Sequence, residues 1–168
     1  MIGRRQPNGD GFIFLDRPRA VLSRWPPDAH LVVALALAVP VWAALGLALG
    51  PHMYLPSGRT AWLSFVLVYP LVEELLFRGI LQGELLRLTT REGTTLRLGP
   101  VSAANALATL AFVAFHTIAQ PLAWALAVAL PSLVFGHLRE RFASVWPAVL
   151  VHVVYNAGFG LAAWLAQR

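Results

Sequence analysis

The chain has 168 residues, 58% of them hydrophobic, with a formal charge of +5 and no cysteine. That composition suits lipid more than water, and the lack of cysteine excludes disulfides, thiolate catalysis and cysteine-ligated metal. All thirteen basic residues are arginines set between apolar stretches, so the positive charge reads as a topology signal and no nucleic-acid partner is expected.

Residues 1–30 form a polar-aromatic N-terminal segment. Within it, Gly11 to Trp25 mixes Phe12, Ile13, Phe14, Leu15 and Trp25 with arginines. This stretch could lie along the membrane surface as an interfacial helix or remain a disordered tail. Residues 31–166 then offer five segments for a hydrocarbon core that takes about 20 helical residues to cross. The first is Leu31 to Gly50, with a kink expected at Pro40, and is read as a membrane span and not a cleaved signal. The second runs from about Thr60 to Arg87. The third, Pro100 to Ile118, is expected to start at the Gly99-Pro100 pair. The fourth is Pro121 to Leu138, close enough to the third to form an antiparallel hairpin, and the fifth is Val145 to Ala166. The expected fold is an all-α, polytopic transmembrane helix bundle of about five spans.

Ten arginines (4, 5, 17, 19, 24, 87, 91, 97, 139 and 141) fall on one side of this scheme, against Arg59 and Arg168 on the other. The positive-inside rule then predicts a cytoplasmic N-terminus and a multi-pass protein.

The second span carries Glu73-Glu74-Leu75-Leu76-Phe77-Arg78. Each charge at the centre of a bilayer costs about 2.5–3.5 kcal/mol, so three together point to function. Glu74 and Arg78 are spaced i, i+4 and can pair, while Glu73 is rotated about 100° from Glu74. The third span ends in Phe112-Val113-Ala114-Phe115-His116, and the fifth carries His152 and Asn156 on one face. From the arginine anchors, Glu73, His152 and Asn156 lie about 16–22 Å inward and His116 about 28 Å. Asn105, Thr109 and Tyr155 read as helix-to-helix hydrogen-bonding residues, and His30, His52 and His137 as interfacial ones.

A carboxylate and an imidazole converging on one water can make it nucleophilic, and a second imidazole with an amide can stabilise an oxyanion. In order along the chain, Glu73-Glu74-x-x-x-Arg78, Phe112-x-x-x-His116 and His152-x-x-x-Asn156 resemble the three-motif signature of the CPBP family of CAAX proteases and bacteriocin-processing enzymes. Val134-Phe135-Gly136-His137-Leu138 and Ser144-Val145-Trp146-Pro147 add to the likeness, which covers a core of about residues 61–160. The resemblance implies a glutamic intramembrane endopeptidase without a cofactor or metal. Its substrate would be a membrane-associated protein or peptide in the lipid bilayer. Glu73 would activate water with His116, His152 and Asn156 would form the oxyanion site, and Glu74, Arg78 and Phe112 would support them or bind substrate. Small prokaryotic members of this kind resemble proteases for C-terminal sorting tags, the myxosortase-like enzymes, which suggests a bacterial cytoplasmic membrane. Three other readings stay open: a zinc protease with ligands from three helices, a proton-coupled transporter, and a non-catalytic immunity or scaffold protein.

Overall fold

The computed structural model describes residues 28–168; the surface-helix or tail reading of Gly11 to Trp25 lies outside them. Five helices dominate. Helix α1 (Ala29–Leu49) starts at the N-cap Asp28, whose carboxylate accepts the amide hydrogen of His30 at 3.0 Å, and it runs through Pro40. It is apolar all round, with a mean hydropathy of 2.4 over its most apolar stretch. Leu31, Ala34 and Ala38 form its buried face and Val33, Leu37 and Val41 its exposed one, as expected of a helix whose outer side meets lipid.

Helix α2 (Gly58–Thr89) has 32 residues, about 48 Å at the usual rise. Two π-helical turns interrupt it, Ser64–Val68 and Leu75–Leu81, on either side of the glutamate pair. The first has a cause in the sequence. Pro70 has no N–H to return to the carbonyls one turn back, so the backbone there widens and the Phe65 carbonyl lacks its helical partner. Two short hairpins follow, β1 (Thr90–Arg91) with β2 (Thr94–Thr95) and β3 (Arg97–Leu98) with β4 (Val101–Ser102). Glu92 and Gly93 turn the first with φ of 50° and 79°, the positive pair that a two-residue hairpin loop needs.

The second hairpin corrects the expected start of the third span. Gly99, with φ of 64°, and Pro100 form its turn and open no helix. Helix α3 (Ala103–His116) begins after Ser102, whose hydroxyl accepts the Asn105 amide hydrogen at 2.9 Å. At 14 residues, α3 is about 21 Å long, short of the roughly 30 Å core. Among the described residues, four helices are therefore long and apolar enough to cross a membrane, and α3 is a shorter fifth. Helix α4 (Leu122–Phe142) breaks at Val128, near where Pro131 removes a backbone donor. Helix α5 (Trp146–Ala166) has Pro147 in its first turn, where a missing N–H costs nothing.

The outcome is an all-α bundle, and the chain is a multi-pass membrane protein. Helix α5 is central, packed against α1 along much of its length and against α4 and α2. Helix α3 lies against the second half of α2 and against α4. The core contains Leu31 and Ala34 of α1, Phe135 and Leu138 of α4, and Ala148 and Val151 of α5.

Candidate active site

The polar groups of α2 enter this bundle as a connected set. Glu74 is 0% and Arg78 1% exposed, and their side chains pair at 3.1 Å, Nη1 donating to Oε1. The same carboxylate oxygen meets His152 Nδ1 of α5 at 2.8 Å. An ionised carboxylate only accepts, so Nδ1 carries the hydrogen. His152 Nε2, on the other side of the ring, lies 3.7 Å from Glu73 Oε2, too far for a hydrogen bond. One imidazole thus stands between two carboxylates that helical geometry turns apart. Glu73 is the more accessible, with its side chain 18% exposed.

Aromatic rings hold these groups in place. The Arg78 guanidinium carbon lies 4.5 Å from the Phe112 ring centre and 5.3 Å from that of Phe135, within cation–π range of both. Phe135 also stacks on His152, centroids 4.7 Å apart and planes 20° apart. Phe112 contacts the His116 ring at 4.3 Å and the His152 ring at 6.2 Å, so both imidazoles border one phenyl ring.

His116 Nδ1 lies 2.8 Å from the Phe112 carbonyl oxygen. A carbonyl only accepts, which puts the hydrogen on Nδ1 and leaves Nε2 with a free lone pair. Asn156 donates from Nδ2 to the Phe65 carbonyl at 2.8 Å, the oxygen that Pro70 leaves without a helical partner. Its second amide hydrogen has no recorded acceptor among the described residues. The structure thus brings Glu73, Glu74, Arg78, Phe112 and His152 into one cluster. His116 joins it through Phe112, and Asn156 lies one turn beyond His152. Glu73 makes no hydrogen bond to His116 or Asn156 among the described residues. Nor are three His, Asp or Glu side chains grouped there as metal donors.

Helix α4, which carries none of the expected site residues, closes the cluster from behind. Arg78 Nη2 donates to Ser132 Oγ at 2.7 Å and to the Ser132 carbonyl at 3.1 Å. Sequence reasoning missed Ser132 and gave Phe135 no role. A lone serine or phenylalanine in an apolar helix carries no signal of its own, although Phe135 lies in the family-like stretch before Gly136. Asn105 and Thr109 bond neighbouring helices as expected: Asn105 donates to the Leu133 carbonyl at 3.0 Å, and Thr109 accepts from Ser132 at 2.9 Å. Tyr155 likewise donates to the Ala34 carbonyl at 2.8 Å.

A multi-pass helical bundle with two carboxylates, a guanidinium and an imidazole buried among apolar spans has the character of an intramembrane enzyme. The family model described as type II CAAX prenyl endopeptidase, Rce1-like, matches residues 55–158, and the chain belongs to that family of membrane proteases. It is a peptide-bond hydrolase. No curated protein and no solved structure matches the chain.

Proposed function

We propose that the protein is a metal-free glutamic endopeptidase in which Glu73 is the general base. The substrate is a membrane-associated protein or peptide, cut at a C-terminal sorting or processing signal. The observation that supports this most is His152 standing between Glu74 and Glu73, with Glu74 tied to Arg78. Buried Glu74 orients the imidazole beside the base, much as a third buried group orients the imidazole of a nucleophile-activating triad.

The chemistry follows from the hydrogen positions. The Nε2 lone pair of His116 accepts a hydrogen bond from the attacking water, which keeps that hydrogen, while Glu73 takes the other as a proton as the water oxygen bonds to the scissile carbonyl carbon. Once the two close from 3.7 Å to hydrogen-bond distance around the substrate, Glu73 can pass that proton to Nε2 of His152, making an N–H donor for the oxyanion. The free amide hydrogen of Asn156 is the second donor. As the tetrahedral intermediate collapses, the C–N bond breaks and the proton goes to the leaving nitrogen. Glu74 keeps its bond to Nδ1 throughout and fixes the tautomer. The arginine-rich ends of α2 and α4 argue for a cytoplasmic N-terminus and five crossings, with α3 completing its passage through flanking residues.

The test is cleavage by the detergent-purified protein of two fluorogenic peptides, one with a farnesylated CaaX tail and one with an unprenylated hydrophobic C-terminal tail. Glu73→Gln should lower kcat by at least about 10²-fold on whichever is cut, and a strong chelator should leave the wild-type rate unchanged. Cleavage that disappears with the chelator would replace this reading with a zinc mechanism, and full activity of Glu73→Gln would remove the assigned base.

A further inference from the structure

We infer that Ser132 is a positioning residue of this site: it fixes the Arg78 guanidinium and, through Arg78 and Glu74, the imidazole of His152. The inference rests on the proposed catalytic role of His152. A guanidinium has only donors, and one taken out of water depends on the few acceptors it meets; Arg78 Nε has none among the described residues, so its position rests on the two Nη groups. Arg78 Nη1 is used by Glu74. Both recorded acceptors of Nη2, the Oγ and the carbonyl oxygen, belong to Ser132. The Phe112 and Phe135 rings lie against the guanidinium and restrict the approach of anything else.

The direction of the hydrogen bonds is forced. Because Arg78 can only donate, Ser132 Oγ must accept from it, and the serine hydrogen therefore points away, to Thr109 Oγ1 at 2.9 Å. Thr109 in turn donates to Asn105 Oδ1 at 3.4 Å, and Asn105 donates its own amide to the Leu133 carbonyl at 3.0 Å. The four side chains form one polarised series running from Arg78 across α4 to α3. Each hydroxyl is both donor and acceptor, which strengthens its neighbours and leaves a single arrangement for Arg78. Glu74 Oε1 receives both Arg78 and His152, so a guanidinium that swings carries the carboxylate, and with it the imidazole, off line.

Two readouts separate positioning from a purely structural role. The first is the split between kcat and KM on the cleaved peptide. The second is the downfield proton resonance of the His152 Nδ1–H, assigned by its loss in His152→Gln. Ser132→Ala should lower kcat about tenfold, the scale of one hydrogen bond to a charged group, with KM within about twofold of the wild type, and should shift or broaden the resonance. If Ser132→Ala does not accumulate folded, Thr109→Val removes the next member of the series and should act in the same direction, about threefold. An unmoved resonance, an unchanged kcat, an effect confined to KM, or a wild type without a His152-dependent resonance would each overturn the inference. The catalytic reading is judged separately by Glu73→Gln: an active Glu73→Gln sinks that reading, whereas an inactive one beside a fully active Ser132→Ala sinks only the positioning role.

Discussion

The two ends of helix α5 are packed by opposite means. Around His152, the neighbours are Glu74, Arg78, Phe112 and Phe135, and each contact has a direction: a donor aimed at an acceptor or a cation over a ring. Around Gly158 to Ala166, the neighbours are Trp42, Ala43, Gly46 and Leu47 of α1, which leave an apolar groove of about 530 Å³. Hydrogen bonds in a dry interior admit one geometry, because a misplaced donor is left unpaired at a cost of about 1–3 kcal/mol. Dispersion contacts admit many geometries, since each atom pair contributes only about 0.1–0.2 kcal/mol. The His152 end is thus held to one arrangement, whereas at the far end Gly46 borders the open groove even though Gly158 and Gly160 lie tight against Trp42 and Trp62.

Three glycine and aromatic substitutions test that contrast, beginning with the largest effect on stability. A Cβ at Gly136 would lie 1.9 Å from Asn105 Oδ1, and Asn105 cannot yield without breaking its bond to Leu133. Gly136→Ala should destabilise the folded protein by about 3 kcal/mol, read as a lowered thermal midpoint in detergent, and should reduce cleavage as the Asn105–Thr109–Ser132 series shifts. Phe135→Leu preserves an apolar side chain of similar length but removes the ring from both Arg78 and His152. A loss of about 2 kcal/mol in the same melting assay is expected. At the far end the sign reverses. A Cβ at Gly46 would meet Ala162 Cβ at an ordinary 3.8 Å, so Gly46→Ala should stabilise by about 0.5 kcal/mol through helix propensity. Equal losses for the two glycine substitutions would mean that the two ends do not differ as described.

The smallest effect concerns the start of α1, outside the membrane-spanning segments. The single Nε hydrogen of Arg141 is shared between the two carboxylate oxygens of Asp28, at 2.9 Å from each. This bonding is the chief reason that its carboxyl is lowered from the ordinary 3.8 to about 2. A depressed carboxylate contributes stability that is complete above its unfolded value and is lost as pH falls through the folded one. Hydrogen-exchange protection of the first turn of α1 should accordingly weaken from about pH 4 to about pH 2. Asp28→Asn, which can still cap the helix, should remove that pH dependence without unfolding the turn. Unchanged pH dependence in Asp28→Asn would show that another group anchors this end.

Most of the fold was legible in the sequence because lipid imposes simple rules. Every backbone group in a bilayer must bond within its own segment, so long apolar runs become helices, and α1, α2, α4 and α5 lie close to their expected bounds. The loop after α2 was less legible. Gly99-Pro100 suits either a helix start or a hairpin turn, and the positive φ of Gly99 together with the pairing of Arg97–Leu98 to Val101–Ser102 decides for the turn. The pairing of Glu74 with Arg78 could be read from i, i+4 spacing, because both groups share one helix.

What the sequence by itself determined is the class of protein and the residues with the chemistry to act: an apolar helical bundle, two adjacent glutamates, two histidines and an asparagine at helical spacings. Only the tertiary structure decided how they meet. It set His152 against Glu74 as well as beside Glu73, directed Asn156 to the carbonyl freed by Pro70, and brought Ser132 and Phe135 of α4 behind Arg78. Spacing along one helix fixes which side chains share a face. The contact of side chains 54 or 78 residues apart depends on how helices cross, and that is set by the packing of the whole bundle.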